Sequence, residues 1–306
     1  MATILICGTS VFTSCTSKED NPAAPVQPDL NLAENIIGKW MYAERNGQPM
    51  VTNRKTVYTF VSPTKAYMSA SLNTIPELGP QWNDQVEVDV TINGNKMTLV
   101  SHPDEHMTVV DESIVTNIGN SEFTCDSKVT FTVDGVFVRS GEYRIRYEKV
   151  TADYSEAVLG MWQGRCTSEG SVFDDGQEHR WEFKADGTYE YYVKAGDNWV
   201  PYAENAQNEY FVDGNLLCFR WVDQGQENRE WWEITIADGK MNWTALRQNE
   251  DGTTFTATFE MTKVAESSSR SLPLGARLSL PLQGEMEEVT RSLSRGKGDL
   301  PYGDLH

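Results

Sequence analysis

The sequence has no run of about 20 apolar residues, the length a helix needs to cross a bilayer. The only candidate, Ile4 to Phe12, is too short and stands at the start of the chain. Basic residues are scarce: 26 Lys and Arg stand against 45 Asp and Glu, a net charge of −19. Nucleic-acid binding depends on Lys and Arg neutralising phosphates, and no basic stripe is present to do so. The same acidity opposes adsorption to an anionic membrane surface and favours solubility. Histidine is rarer still, with four in 306 residues. No Gly-x-Ser-x-Gly elbow and no phosphate-cradling Gly-rich loop occurs, so nucleophilic hydrolysis and nucleotide chemistry have no visible anchor. Cysteine is too sparse for a disulfide framework. Cys7 and Cys15 fall in the N-terminal segment, which leaves Cys125, Cys166 and Cys218, an odd set.

Candidate chemistry is correspondingly thin. His102-Pro103-Asp104-Glu105-His106 fits the H-x-x-E-H pattern of inverted zinc proteases. That chemistry needs both imidazoles on one helix face, with the Glu beside a metal-bound water. Pro103 and the surrounding β pattern predict a loop instead, so no metal is assigned to His102 and His106. Asp174-Asp175-Gly176 and Asn249-Glu250-Asp251-Gly252 read as acidic turns, since one or two carboxylates give only weak calcium sites. Carboxylates are too numerous for any pair to stand out as acid and base. The expectation is a protein without catalytic residues, metal or cofactor.

The first residues carry an address. Ile4 to Phe12 reads as the apolar core of an export signal, and Phe12-Thr13-Ser14-Cys15 follows. The latter resembles a lipobox, in which small residues give a signal peptidase access and a thiol accepts the lipid. Thr16-Ser17-Lys18-Glu19-Asp20-Asn21 resembles the short acidic signal that directs Bacteroidota lipoproteins to the cell surface. Pro22 to Pro28 is a proline-rich, extended tether. The expected order is a signal peptide over 1–14 and a tether over 15–32 lipidated at Cys15. The expected location is the outer membrane, lipid-anchored and facing the cell surface.

What the chain has in abundance is β pattern, repeated twice. Ile36-Ile37-Gly38-Lys39-Trp40 recurs as Val158-Leu159-Gly160-Met161-Trp162, and a helix-compatible acidic stretch precedes each. Such self-similarity marks an internal duplication. Alternating strands separated by Asp-Gly or Asn-Gly turns follow both copies, at Asn93-Gly94, Asp134-Gly135, Asp186-Gly187, Asp213-Gly214 and Asp238-Gly239. A meander of about eight strands removes its edges by closing. Ser69 to Trp82, with Pro76 and Pro80, reads as a long loop.

A Gly-x-Trp on the first strand followed by an eight-strand meander resembles the lipocalin superfamily, and more narrowly the lipocalin-like domains of Bacteroidota lipoproteins. The resemblance covers roughly 33–150 and 155–264. It implies an all-β chain of two tandem antiparallel up-and-down β-barrels, over 33–150 and 151–264; a β-sandwich is the alternative. It also implies that Trp40 and Trp162 plug the closed ends of the barrels. Residues 265–306, rich in Ser, Arg, Leu, Gly and Pro, read as a disordered tail, with a short helix conceivable across Gln283–Ser294.

Seven of the nine tryptophans lie between Trp162 and Trp243. An eight-strand barrel either packs its side chains or holds one small ligand. Trp181, Tyr189, Tyr191, Trp199, Tyr202, Trp221, Trp232 and Trp243 are the candidates to line a cup for a sugar ring or flat apolar molecule. Trp199 and Tyr202, near Pro201, are expected at its rim. The rival expectation is a filled core serving as a structural or protein-interaction module of a surface assembly. Strand parity predicts that Cys166 points into the second barrel and Cys218 away from it.

Overall fold

The computed structural model describes residues 30–70, 82–168, 173–202, 207–223, 225–249 and 251–265. The export signal, Cys15, most of the loop expected at Ser69 to Trp82, and all of the tail beyond residue 265 lie outside the described residues.

The protein is all-β, built as two antiparallel nine-stranded sheets. A single helical turn, α1 (Leu32–Asn35), leads into the first sheet. Its strands are β1 (Gly38–Arg45), β2 (Gln48–Pro49), β3 (Thr56–Ser62), β4 (Lys65–Ala70), β5 (Val86–Asn93), β6 (Lys96–Ser101), β7 (Met107–Ile118), β8 (Glu122–Val133) and β9 (Val136–Lys149). Each pairs with its neighbour, and β1 pairs back onto β9, with Trp40 opposite Lys149 and Tyr42 opposite Tyr147. Eight strands therefore close into a barrel, and β2 is a short appendage on β1. Ser69 and Ala70 belong to β4, so the long loop starts later than the sequence indicates. Strand β9 runs from Val136 to Lys149 with one bulge, opposite Phe131 and Thr132.

The second sheet comprises β10 (Gly160–Cys166), β11 (His179–Phe183), β12 (Tyr189–Ala195), β13 (Asn198–Pro201), β14 (Glu209–Asp213), β15 (Leu216–Asp223), β16 (Gln226–Ala237), β17 (Lys240–Gln248) and β18 (Thr254–Lys263). It curls without an extended closing ladder. Among the described residues, β12 and β14 meet through the Thr188–Glu209 bridge alone, because β13 occupies the edge of β12.

The two copies of Gly-x-Trp share a local design. Trp40 Nε1 donates to the Ile36 carbonyl and Trp162 Nε1 to the Val158 carbonyl, both at 2.6 Å. Lys149 lies 4.9 Å over the Trp40 ring and Lys263 lies 5.2 Å over the Trp162 ring. Both indoles are fully buried. Gly38 and Gly160 take φ of +125° and +98°, a region that penalises any Cβ. The duplication seen in the sequence is thus a duplication of geometry.

A third core welds the halves together. Met41, Val57 and Ala70 from the outer wall of the barrel pack against Phe211, Leu216, Cys218 and Trp231 from the outer wall of the second sheet. Polar contacts frame it. Lys39 pairs with Asp213, Lys55 reaches Glu233 at 2.7 Å, and Gln85 donates to Asp213 at 3.0 Å. The 3-10 turn Thr52–Arg54 presents Thr52 and Asn53 to β16 and β17. Thr52 Oγ1 accepts from the Leu246 amide at 2.9 Å, and Asn53 Oδ1 accepts from the Trp231 amide at 3.0 Å. Cys218 faces outward as parity predicts, into this interface, while Cys166 faces the interior core of the second sheet.

Candidate functional site

The aromatic cup is expected in the second half, and the structure brings most of its members together there. Trp181, Tyr189, Tyr191, Trp232 and Trp243 are buried in one cluster, with Tyr202 and Trp221 packed against it. Trp243 stands at the centre, its ring 4.9 Å from Trp181, 5.3 Å from Phe219, and 5.7 Å from both Trp232 and Phe259. Phe183, Phe219 and Phe259, which aromatic counting by Trp and Tyr passes over, fill the gaps between these rings. Trp199 is separate. On β13 it stands opposite Lys194 of β12, on the outer face, with Arg180 at 4.5 Å over its ring. The burial of β11 fixes which face that is: His179, Trp181 and Phe183 point inward and Arg180 points out.

Polar groups at the far end of this core pair with one another, although Arg247 Nε and, at the centre of the core, Trp243 Nε1 are buried without a partner among the described residues. Buried His179 has its Nδ1 2.8 Å from the Tyr191 hydroxyl and its Nε2 3.1 Å from Asp175. Glu230 and Arg247 form a buried pair at 3.3 Å, and Trp232 Nε1 donates to Glu230 at 3.1 Å. Burial drives the Glu230 carboxyl up and the Arg247 guanidinium down, while their mutual attraction opposes both shifts. Arg247 also donates to Asn53 Oδ1 at 2.6 Å and so ties this interior to the interface.

The first barrel has a different interior. Inward positions follow the register: Tyr42 and Arg45 on β1, Tyr58 on β3, Leu99 and Ser101 on β6, Asp111 and Ser113 on β7, Cys125 and Ser127 on β8, and Tyr143 and Tyr147 on β9. The end near α1 is sealed by apolar contacts among Trp40, Phe60, Phe123, Leu32 and Ile36, with Phe123 stacked on Tyr147 at 4.4 Å. Above that floor the lining turns polar. Ser113 donates to Asp111 at 2.7 Å, the Ser113 and Ser127 hydroxyls stand 2.5 Å apart, and Ser127 lies 3.4 Å from Cys125 Sγ.

Asp111 is 6% exposed, and no cationic side chain pairs with it among the described residues. Burial pushes its carboxyl up to about 6, against the lowering pull of the Ser113 and Ser127 hydroxyls. Burial likewise raises the phenols of Tyr42, Tyr58 and Tyr147, and pushes the Cys125 thiol up to about 12. That thiol is therefore no nucleophile at neutral pH. Tyr42, Tyr58 and Tyr143 point inward and stay only half-buried, as Tyr202 and Trp221 do in the second half. Arg45 lies 5.2 Å over the Tyr143 ring towards the open end. The sequence signal for this site was present in the polar residues at inward phase, Asp111 and Ser113.

The H-x-x-E-H stretch is a loop between β6 and β7. Asp104 accepts from the backbone amides of His106 and Met107, and the imidazoles turn to different partners. His102 Nδ1 lies 3.1 Å from Thr108 Oγ1, and His106 Nδ1 lies 2.9 Å from Asp134. The described residues contain no group of three potential metal ligands.

Comparison with protein-family models and with curated proteins gives no match for this chain.

Proposed function

We propose that this chain is a lipid-anchored, non-enzymatic binding protein that holds a small molecule inside its first barrel. The observation that carries the reading is the contrast between the two interiors. Three half-buried tyrosines and a buried carboxyl line the first, while the second is packed by Trp, Phe and Tyr. A buried carboxyl without a cationic partner costs stability, and such costs gather at binding sites. In the lipocalin-like reading, Trp40 and Trp162 stopper one end of each half. The ligand then enters the first barrel past Arg45 and Tyr143. Cys15 carries the anchor, and the proline-rich tether holds the barrel away from the outer membrane at the cell surface.

A second reading applies to the second half. Its filled aromatic core favours a structural or protein-interaction role. Apart from Trp199, which lies on the outer face, the aromatic set expected to line a cup there is better read as that core.

Native mass spectrometry of the full chain from its own membrane tests the proposal. A non-covalent adduct is expected beyond the mass of the acylated protein, released on denaturation and absent from Ser127→Phe, which fills the interior. A wild-type chain that carries no adduct and binds nothing from a panel of small apolar and glycan-like molecules would overturn it.

A further inference from the structure

We infer that the ligand of the first barrel is a small organic amine, whose ammonium group is received by Asp111 and whose apolar body lies against Tyr42 and Tyr58. The inference rests on the binding reading above and adds the ligand's chemistry. Its ground is an imbalance of charge. Asp111 stands between Leu99 and Val129 on the inward face of β7, in an interior lined by half-buried Tyr42, Tyr58 and Tyr143. Serine hydroxyls donate to it, and no Lys, Arg or His completes it among the described residues. A carboxylate accepts through two oxygens and about four lone-pair sites. An ammonium brings three N–H donors and the compensating charge in one group.

The groups nearest Asp111 suit that guest. From β1, β3, β8 and β9 the titratable neighbours are Tyr42, Tyr58, Cys125, Tyr143 and Tyr147. Burial keeps the Tyr42, Tyr58 and Tyr147 phenols and the Cys125 thiol in their neutral forms. Glu112 lies on the outer face of β7, and β6 contributes only Met97, Leu99 and Ser101. Among the described residues the cations on the inward face stand at its two ends: Lys149 over the Trp40 ring at the sealed end, and Arg45 over Tyr143 and Arg139 over Phe131 towards the open end; none of them pairs with Asp111. A carboxylate guest would meet Asp111 as a like charge. A neutral guest would leave Asp111 uncompensated. Aromatic faces of tyrosine add attraction for a cation.

Titration calorimetry of the full chain with three matched probes tests this: phenethylamine, phenethyl alcohol and hydrocinnamate. At about pH 7.5 the amine should bind roughly tenfold or more tightly than the alcohol, the difference between a charge-assisted and a neutral hydrogen bond. Hydrocinnamate should not bind. Asp111→Asn should fold, keep the alcohol's affinity and lose the amine's advantage. The amine's affinity should fall as pH is lowered through about 6, because protonated Asp111 no longer supplies charge. Equal affinities for amine and alcohol, unchanged in Asp111→Asn, would overturn the inference and leave the binding reading standing. Failure of all three probes while the uncharged dye phenylnaphthylamine still binds would also overturn it. Failure of the probes and the dye together would remove the binding reading as well.

Discussion

At the scale of single residues, Asp111 is the position where stability and function diverge. Its carboxyl titrates near 6 in the folded barrel and near 3.8 when free. The folded state therefore binds the proton more tightly. The stability this confers is present at low pH and is lost as pH rises through about 6. A shift of that size corresponds to roughly 2–3 kcal/mol. Asp111→Asn, which is neutral at every pH, should raise the unfolding free energy by about that amount near pH 7.5 and have little effect near pH 4. Chemical denaturation at the two pH values measures it; a destabilised variant at pH 7.5 would show that the carboxylate serves packing. The residue was legible in the sequence only in part. On β7 the inward face reads Met107, Val109, Asp111, Ser113, Val115, while Val110 and Ile114 stand on the outer face. Polar residues inside and apolar ones outside blur the two-residue alternation by which a strand is recognised. The polar lining hid the element that carries it.

At the scale of elements, turns and Gly-x-Trp repeats were plain in the sequence because each has a local cause. Asp-Gly and Asn-Gly supply positive φ, seen at Asp134 and Gly135 and at Asp238 and Gly239. Gly38 and Gly160 start their strands beside Lys149 and Lys263, where an added Cβ would meet the lysine at 3.3 and 3.5 Å. Gly38→Ala and Gly160→Ala should each cost about 1–3 kcal/mol through backbone strain. Matched losses in thermal unfolding are expected if both strand starts follow one design; a neutral result at either site would deny the equivalence. Closure was less legible. The sequence pattern is the same in both halves, but β13 folds back on β12 and leaves β14 only a single bridge to it. Which strand covers an edge depends on contacts distant in sequence, and no local signal encodes that.

At the scale of the whole molecule, the interface between the halves was invisible in the sequence. Met41, Val57, Phe211, Cys218 and Trp231 look like exceptions to the alternation of their own strands, and only the partner half explains them. Trp231→Ala removes a large buried side chain from this third core and should cost about 3–5 kcal/mol. Calorimetry should show one unfolding transition in the wild type and a lower, broadened or divided one in the variant; an unchanged transition would mean that the halves fold independently. Arg247, which joins the Glu230 pair to Asn53 across the same boundary, should cost a similar amount when replaced by Leu, because Glu230 is left buried and unpaired. The central claim is that the first barrel is a cup and the second half a filled core. Titration of the full chain with phenylnaphthylamine, wild type against Ser127→Phe, tests it most directly. Saturable dye binding is predicted for the wild type, with its loss in a variant of near wild-type stability, since the new ring enters empty space. No dye binding by the wild type, with Ser127→Phe destabilised by the roughly 1–3 kcal/mol of an overpacked interior, would contradict it.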